Sequence, residues 1–116
     1  MAKRDCVFYV EKMYLSVHME LCLFKGTAFC DGCPYYVASD EVYQRFRDLL
    51  KNPNSFENLK YIEKMQILGV LLYIAREKGL GNIIATLSTY ISKKEIPDAK
   101  EVIAIAKMIK RGAESE

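Results

Sequence analysis

The sequence is poor in the groups that mark most enzymes and every membrane span. It holds a single histidine, His18. If that residue ligates a metal, no imidazole is left to activate a cysteine or serine. No phosphate-cradling G-x-x-x-x-G-K-[ST], dinucleotide-type G-x-G-x-x-G, G-x-S-x-G or H-E-x-x-H string is present. The longest uncharged apolar run, 67–75, is nine residues, against the roughly 20 a membrane helix requires. Near the start, Cys6 to Val10 are apolar before Glu11 and Lys12 intervene, shorter than the roughly 7–15 residues of a secretory signal. These absences lead to the expectation of a soluble, cytoplasmic protein that is not an enzyme and has no membrane partner.

Net charge is also nearly absent. Seventeen Lys and Arg face fifteen Asp and Glu, a balance of +2 over 116 residues. That excludes binding to nucleic acid by bulk charge, so any basic surface must be local. A hydrophobic share of 51% excludes a disordered tail. No repeat or Ser/Gly-rich linker divides the chain, so the expectation is one domain, 1–116, in two unlike parts. Residues 1–36 carry all four cysteines and the histidine, whereas 39–111 carry helical periodicity.

The fold class expected is mainly α, a small domain of about four to five helices with an N-terminal Cys-rich metal-binding module. Ser39-Asp40-Glu41 opens a helix with the stripe Val42, Tyr43, Phe46, Leu49, Leu50, stopped at Asn52-Pro53. Asn54 with Glu57 resembles a capping box for a second helix running to about Lys78, apolar all round and therefore central. Gly79-Leu80-Gly81 ends it, and Asn82 caps a third helix with the stripe Ile83, Ile84, Leu87, Tyr90, Ile91. Pro97 and Asp98 start a fourth, running to about Arg111 before Gly112. Tyr43, Tyr73 and Tyr90 are assigned to the core.

The segment before these helices reads two ways. Every odd position from Met13 to Leu23 is apolar, a period-2 pattern that allows a short β element at 13–24. Val10, Met13, Tyr14, Val17, Leu21 and Phe24 also form a helical stripe, and Met, Leu and Glu favour helices. The balance favours a helix.

Cys30-Asp31-Gly32-Cys33-Pro34 is a C-x-x-C pair whose glycine permits the tight turn a metal chelate needs. Cys22, eight residues upstream, makes a third thiolate. Cys6 and His18 compete for the fourth place. Sixteen residues separate Cys6 from Cys22, about 24 Å in a helix and over 50 Å in a strand, so Cys6 needs a chain reversal, placed near Glu11-Lys12. His18 needs none, because it shares a face with Cys22. Zinc is the first cofactor expected and an iron–sulfur cluster the second. Ten Ile and two Gln suggest a possible thermophile, in which cytosolic disulfides also occur. A disulfide without metal, inert buried thiols and a weaker C-x-x-C redox reading therefore stay open.

The last helix carries the one local charge. Lys100, Lys107, Lys110 and Arg111 fall within an arc of about 100°, with Ala99, Val102, Ile103, Ile105, Ala106 and Ile109 assigned to the other side. Residues 93–111 hold six basic and three acidic groups, a net +3. This arrangement suits phosphate contacts by a DNA-binding or regulatory protein, and it loosely resembles the helix-turn-helix class, without a diagnostic string. It equally suits an ordinary solvated face whose cations complement the helix dipole. The alternative is a protein–protein adaptor or homodimer in which the cysteine site only holds the fold.

Overall fold

The computed structural model describes residues 5–23 and 34–114. Their order is β1 (Tyr9–Tyr14), β2 (Val17–Cys22), α1 (Val42–Lys51), α2 (Tyr61–Lys78), α3 (Gly81–Lys93) and α4 (Ala99–Glu114), with 3-10 turns at Ser39–Glu41 and Pro53–Asn58. The fold is mainly α, with one antiparallel hairpin.

The hairpin overturns the helix favoured for the N-terminal segment. Tyr9 pairs with Cys22 and Tyr14 with Val17, joined through Leu15 and Ser16 at φ of 48° and 67°. Two positive φ values in a two-residue loop match the twist of the flanking strands. The chain therefore reverses at Leu15-Ser16, not near Glu11-Lys12. Because the loop has two residues, Met13 pairs with His18 and Tyr14 with Val17, so odd positions of one strand stand opposite even positions of the other. The alternation read as one strand belongs to two.

α2 is the centre of the molecule, as its all-round apolar run requires. Met65, Leu68, Val70, Leu71, Leu72 and Ile74 are buried, and α1, α3 and α4 all pack on it. Val42, Phe46 and Leu49 face it from α1, Leu87 and Ile91 from α3, and Val102, Ile105, Ala106 and Ile109 from α4. The N-terminal segment joins this core. Val7 and Phe8 are fully buried against Gly69, where an added Cβ would lie 2.6 Å from Val7 Cγ2. Residues 5–7 pair with 37–39: Val7 N–H donates to Val37 O at 3.0 Å, and Ser39 N–H to Asp5 O at 2.6 Å. Arg76 pins the hairpin by donating to Tyr9 O at 2.9 Å.

Helix boundaries moved where local chemistry outranked the sequence signal. α2 begins at Tyr61, not Asn54, because buried Phe56 holds 53–58 in a 3-10 turn and Leu59 and Lys60 are extended, with ψ of 154° and 162°. Glu63 Oε1 accepts the Lys60 N–H at 3.4 Å at the new start. α3 begins at Gly81, one residue before the expected Asn82 cap. Asp98 is the cap of α4, its Oδ1 accepting Glu101 N–H at 2.8 Å, so Pro97 stands just outside the helix. α4 continues through Gly112 to Glu114. Tyr73 and Tyr90 are half-buried, but Tyr43 is 41% exposed, its hydroxyl donating to Glu77 at 3.1 Å. No helix among the described residues is long and apolar enough to cross a membrane.

Candidate functional site

Two places carry the residues singled out in the sequence. The first is the base of the hairpin. Cys6 and Cys22 are both buried, at 8% and 6% exposure, in one continuous core. The hairpin reversal sets Cys22 opposite Tyr9, and Tyr9 N–H donates to Cys6 O at 3.1 Å, so the sixteen-residue separation no longer keeps the two cysteines apart. His18 fares differently. In an extended strand its Cα lies about 13 Å from that of Cys22, beyond the span of a cysteine and a histidine on one ion with bonds of about 2.3 and 2.1 Å. The compactness expected for His18 with Cys22 holds in a helix only.

Cys30 and Cys33 lie outside the described residues. Leu23 N–H donates to Phe8 O at 2.8 Å beside Cys22. Pro34, bonded to Cys33, offers its carbonyl to Gln66 Nε2 at 3.1 Å. Gln66 is one turn of α2 from Gly69, where Val7 and Phe8 rest, an axial rise of about 4.5 Å. Leu23, through Phe8, and Pro34, through Gln66, are therefore both connected to the same stretch of α2. Among the described residues no group of three or more His, Cys, Asp or Glu is arranged to hold a metal.

A cleft of about 320 Å³ adjoins Cys6, lined also by Tyr9, Tyr73, Arg76 and Glu77. Its neighbourhood is rich in tyrosine–carboxylate pairs. Tyr9 donates to Glu11 at 2.6 Å, and Tyr36 to Asp5. The Asp5 hydrogen bond, with smaller help from burial and charge, pushes the Tyr36 hydroxyl up to about 12. For Tyr43, burial and then the Glu77 hydrogen bond push the hydroxyl up. Each of these tyrosine hydroxyls donates to its carboxylate partner.

The second place is the outer face of α4. Lys100, Lys107, Lys110 and Arg111 are all exposed. Among the described residues none of the four meets a carboxylate at ion-pair distance. The nearest acid in sequence, Glu101, lies on a different side of the helix and accepts from Tyr90 at 2.8 Å, a bond that pushes the Tyr90 hydroxyl up. Lys100, Lys107 and Arg111 border a depression of about 410 Å³ floored by Ile103, Ala104 and Met108. Ile103 was assigned to the apolar side, but at 100° per residue it sits about 300° from Lys100, inside the cationic arc. Ala104 and Met108 lie about 20° and 60° beyond the arc, Met108 within about 20° of Glu101, and Met108 is 44% exposed. The same helical arithmetic, carried past the charged residues, would have found this apolar floor.

Compared with protein-family models, curated proteins and solved structures, the chain matches none.

Proposed function

We propose that the protein is a non-catalytic binding module that engages an anionic macromolecule through the outer face of α4. The observation that supports this reading is the set of four exposed cations without an ion-pair partner among the described residues, grouped on one helix of a nearly neutral chain. Such a set draws its counter-charge from outside, and binding through it falls steeply with salt. Nucleic acid and an acidic protein surface are the two partner classes with that chemistry. The cysteines serve the fold in this reading: Cys6, Cys22, Cys30 and Cys33 take one zinc ion as four thiolates, Cys6 displacing His18 as fourth ligand for the distance reason above. An iron–sulfur cluster is the second occupant of that set.

Retention on a heparin column tests the contact face. The wild type should elute at clearly higher salt than the Lys107→Glu, Arg111→Glu double variant, with both showing the same circular dichroism. Equal elution would remove α4 as the contact face. Metal and thiol counts on anaerobically purified protein test the cofactor. About one zinc per chain is expected, and metal-free protein with four titratable thiols would end the metal reading.

A further inference from the structure

We infer that two copies of this chain associate through α4, antiparallel about a two-fold axis, each copy's Glu101 meeting the other's Arg111. The inference goes beyond the function proposed above, which concerns an outside partner. At about 100° per residue, Arg111, Ala104, Met108 and Glu101 follow one another within an arc of about 80°. Glu101, Ala104, Met108 and Arg111 are spaced i, i+3, i+7, i+10 in the sequence, the seam spacing by which helices pair side by side. Ala104 and Arg111 are exposed, Met108 is 44% exposed and Glu101 is half-buried. Ala104 and Met108 line both the depression beside Lys107 and the groove between α3 and α4, so the apolar middle of the stripe continues onto Ile83 of α3.

The order of charges along the stripe decides what can cover it. An acid stands at one end and a cation at the other, about 15 Å apart along the axis and too far to pair within one helix. An acidic ligand on this stripe sets like charge against Glu101. A second copy laid parallel sets Glu101 against Glu101 and Arg111 against Arg111, which repel. Laid antiparallel, the second copy satisfies both ends. The contacts of Glu101 with Arg111 and of Ala104 with Met108 are all centred on Ala106, so one two-fold axis makes each of them twice. Ala104 opposite Met108 sets a small side chain against a long one, which suits a close approach of the axes. Glu101 accepts from Tyr90 at 2.8 Å, which fixes its carboxylate and leaves acceptor capacity for a guanidinium. Arg111 has no ion-pair partner among the described residues. Lys100, Lys107 and Lys110 stand about 60°, 80° and 140° from the middle of the stripe, so their ammonium groups stay in water and face the outside partner. The Lys107 flanks of the two copies adjoin, a repulsion that salt screens, and the pair is therefore a reversible one.

Sedimentation of the full chain over a roughly hundredfold range of concentration should show a monomer–dimer equilibrium, with a phosphine reductant present to exclude disulfide-linked pairs. Glu101→Arg and Arg111→Glu, each by itself, should weaken dimerisation about tenfold or more, because like charges then meet at both ends. Mixed in equal amounts, the two variants should recover a dimer holding one copy of each, since both end contacts are again of opposite sign. Met108→Gln, at an exposed position, removes an apolar contact from each copy and should weaken association about tenfold with unchanged circular dichroism. A wild type that stays monomeric over that range would overturn the inference. So would single charge variants that dimerise like the wild type, a mixture of the two that stays monomeric, or indifference to Met108→Gln. If either charge variant loses its helical circular dichroism, the wild type and Met108→Gln decide the matter by themselves.

Discussion

Gly69 and Tyr36 show how single residues set the terms for the N-terminal segment. A glycine inside a helix is ordinarily about 1 kcal/mol worse than alanine, so Gly69→Ala would be expected to stabilise α2. Here the added Cβ would lie 2.6 Å from Val7 Cγ2 and 2.8 Å from Phe8 Cζ. Both side chains are fully buried and have no solvent to retreat into. Overpacking of that kind costs roughly 1–3 kcal/mol, which outweighs the propensity gain. Urea denaturation of Gly69→Ala should therefore show a net loss of up to about 2 kcal/mol, and a gain would mean that residues 7–8 do not rest on α2. Tyr36 acts through hydrogen bonding. Its hydroxyl is raised from 10.0 to about 12 by Asp5, so the folded state keeps a proton that the unfolded state loses first. The contribution is full below pH 10, falls as pH rises between 10 and about 12, and is gone above that. Tyr36→Phe should flatten that part of the stability profile. A profile unchanged by the substitution would show that the Asp5 contact does not survive in solution.

At the scale of elements, the helices were legible and the hairpin was not, for a reason that lies in its turn. α1 and α3 announce themselves with a stripe at i, i+4, i+7 and α2 with an all-round apolar run, and burial of Val42, Phe46, Leu49, Leu87 and Ile91 follows those stripes. The start of α2 slipped where buried Phe56 took hold of the chain, and that of α4 where Asp98 caps the helix. A hairpin is normally announced by Asn-Gly or a similar pair at the two positive-φ positions. This one has Leu15 and Ser16, at φ of 48° and 67°, and Leu15 continues the apolar alternation straight through the reversal. Leu15 gains little from its position, being 82% exposed. Replacing the pair by Leu15→Asn with Ser16→Gly should stabilise the hairpin by about 1 kcal/mol, read as slower amide exchange across β1 and β2. Unchanged or faster exchange would mean that the loop conformation is not the left-handed pair described. The cationic face of α4 was legible as charge. Its apolar floor is masked by residue type: Ile103 reads as core by its side chain but sits within the cationic arc by angle.

Across the whole molecule, the two strands touch each other far more than they touch any helix, whereas α2 is packed on all sides. Among the described residues, the contacts that tie the N-terminal segment to the helical part include Val7 and Phe8 on Gly69, the pairing of residues 5–7 with 37–39, Tyr36 on Asp5, Arg76 on Tyr9 O, and the burial of Cys6 and Cys22 in the common core. Elements with few buried tertiary contacts open at lower free energy than the core. A zinc ion held by Cys6, Cys22, Cys30 and Cys33 would supply what this contact list lacks, because it would fasten the segment before β1, the end of β2 and the chain leading to Pro34 at one point. Metal binding to thiolates is coupled to the folding of whatever the ligands hold together. Chelation should therefore act locally. Native-state hydrogen exchange after treatment with a strong zinc chelator should show residues 5–23 losing protection while α2 keeps its own, with helical circular dichroism largely retained. The Cys6→Ser variant should reproduce this pattern without chelator, and His18→Ala should not. Loss of protection in α2 at the same chelator concentration would show that the two parts fold as one unit. An effect of His18→Ala equal to that of Cys6→Ser would restore the histidine as fourth ligand and require that β2 be broken between positions 18 and 22.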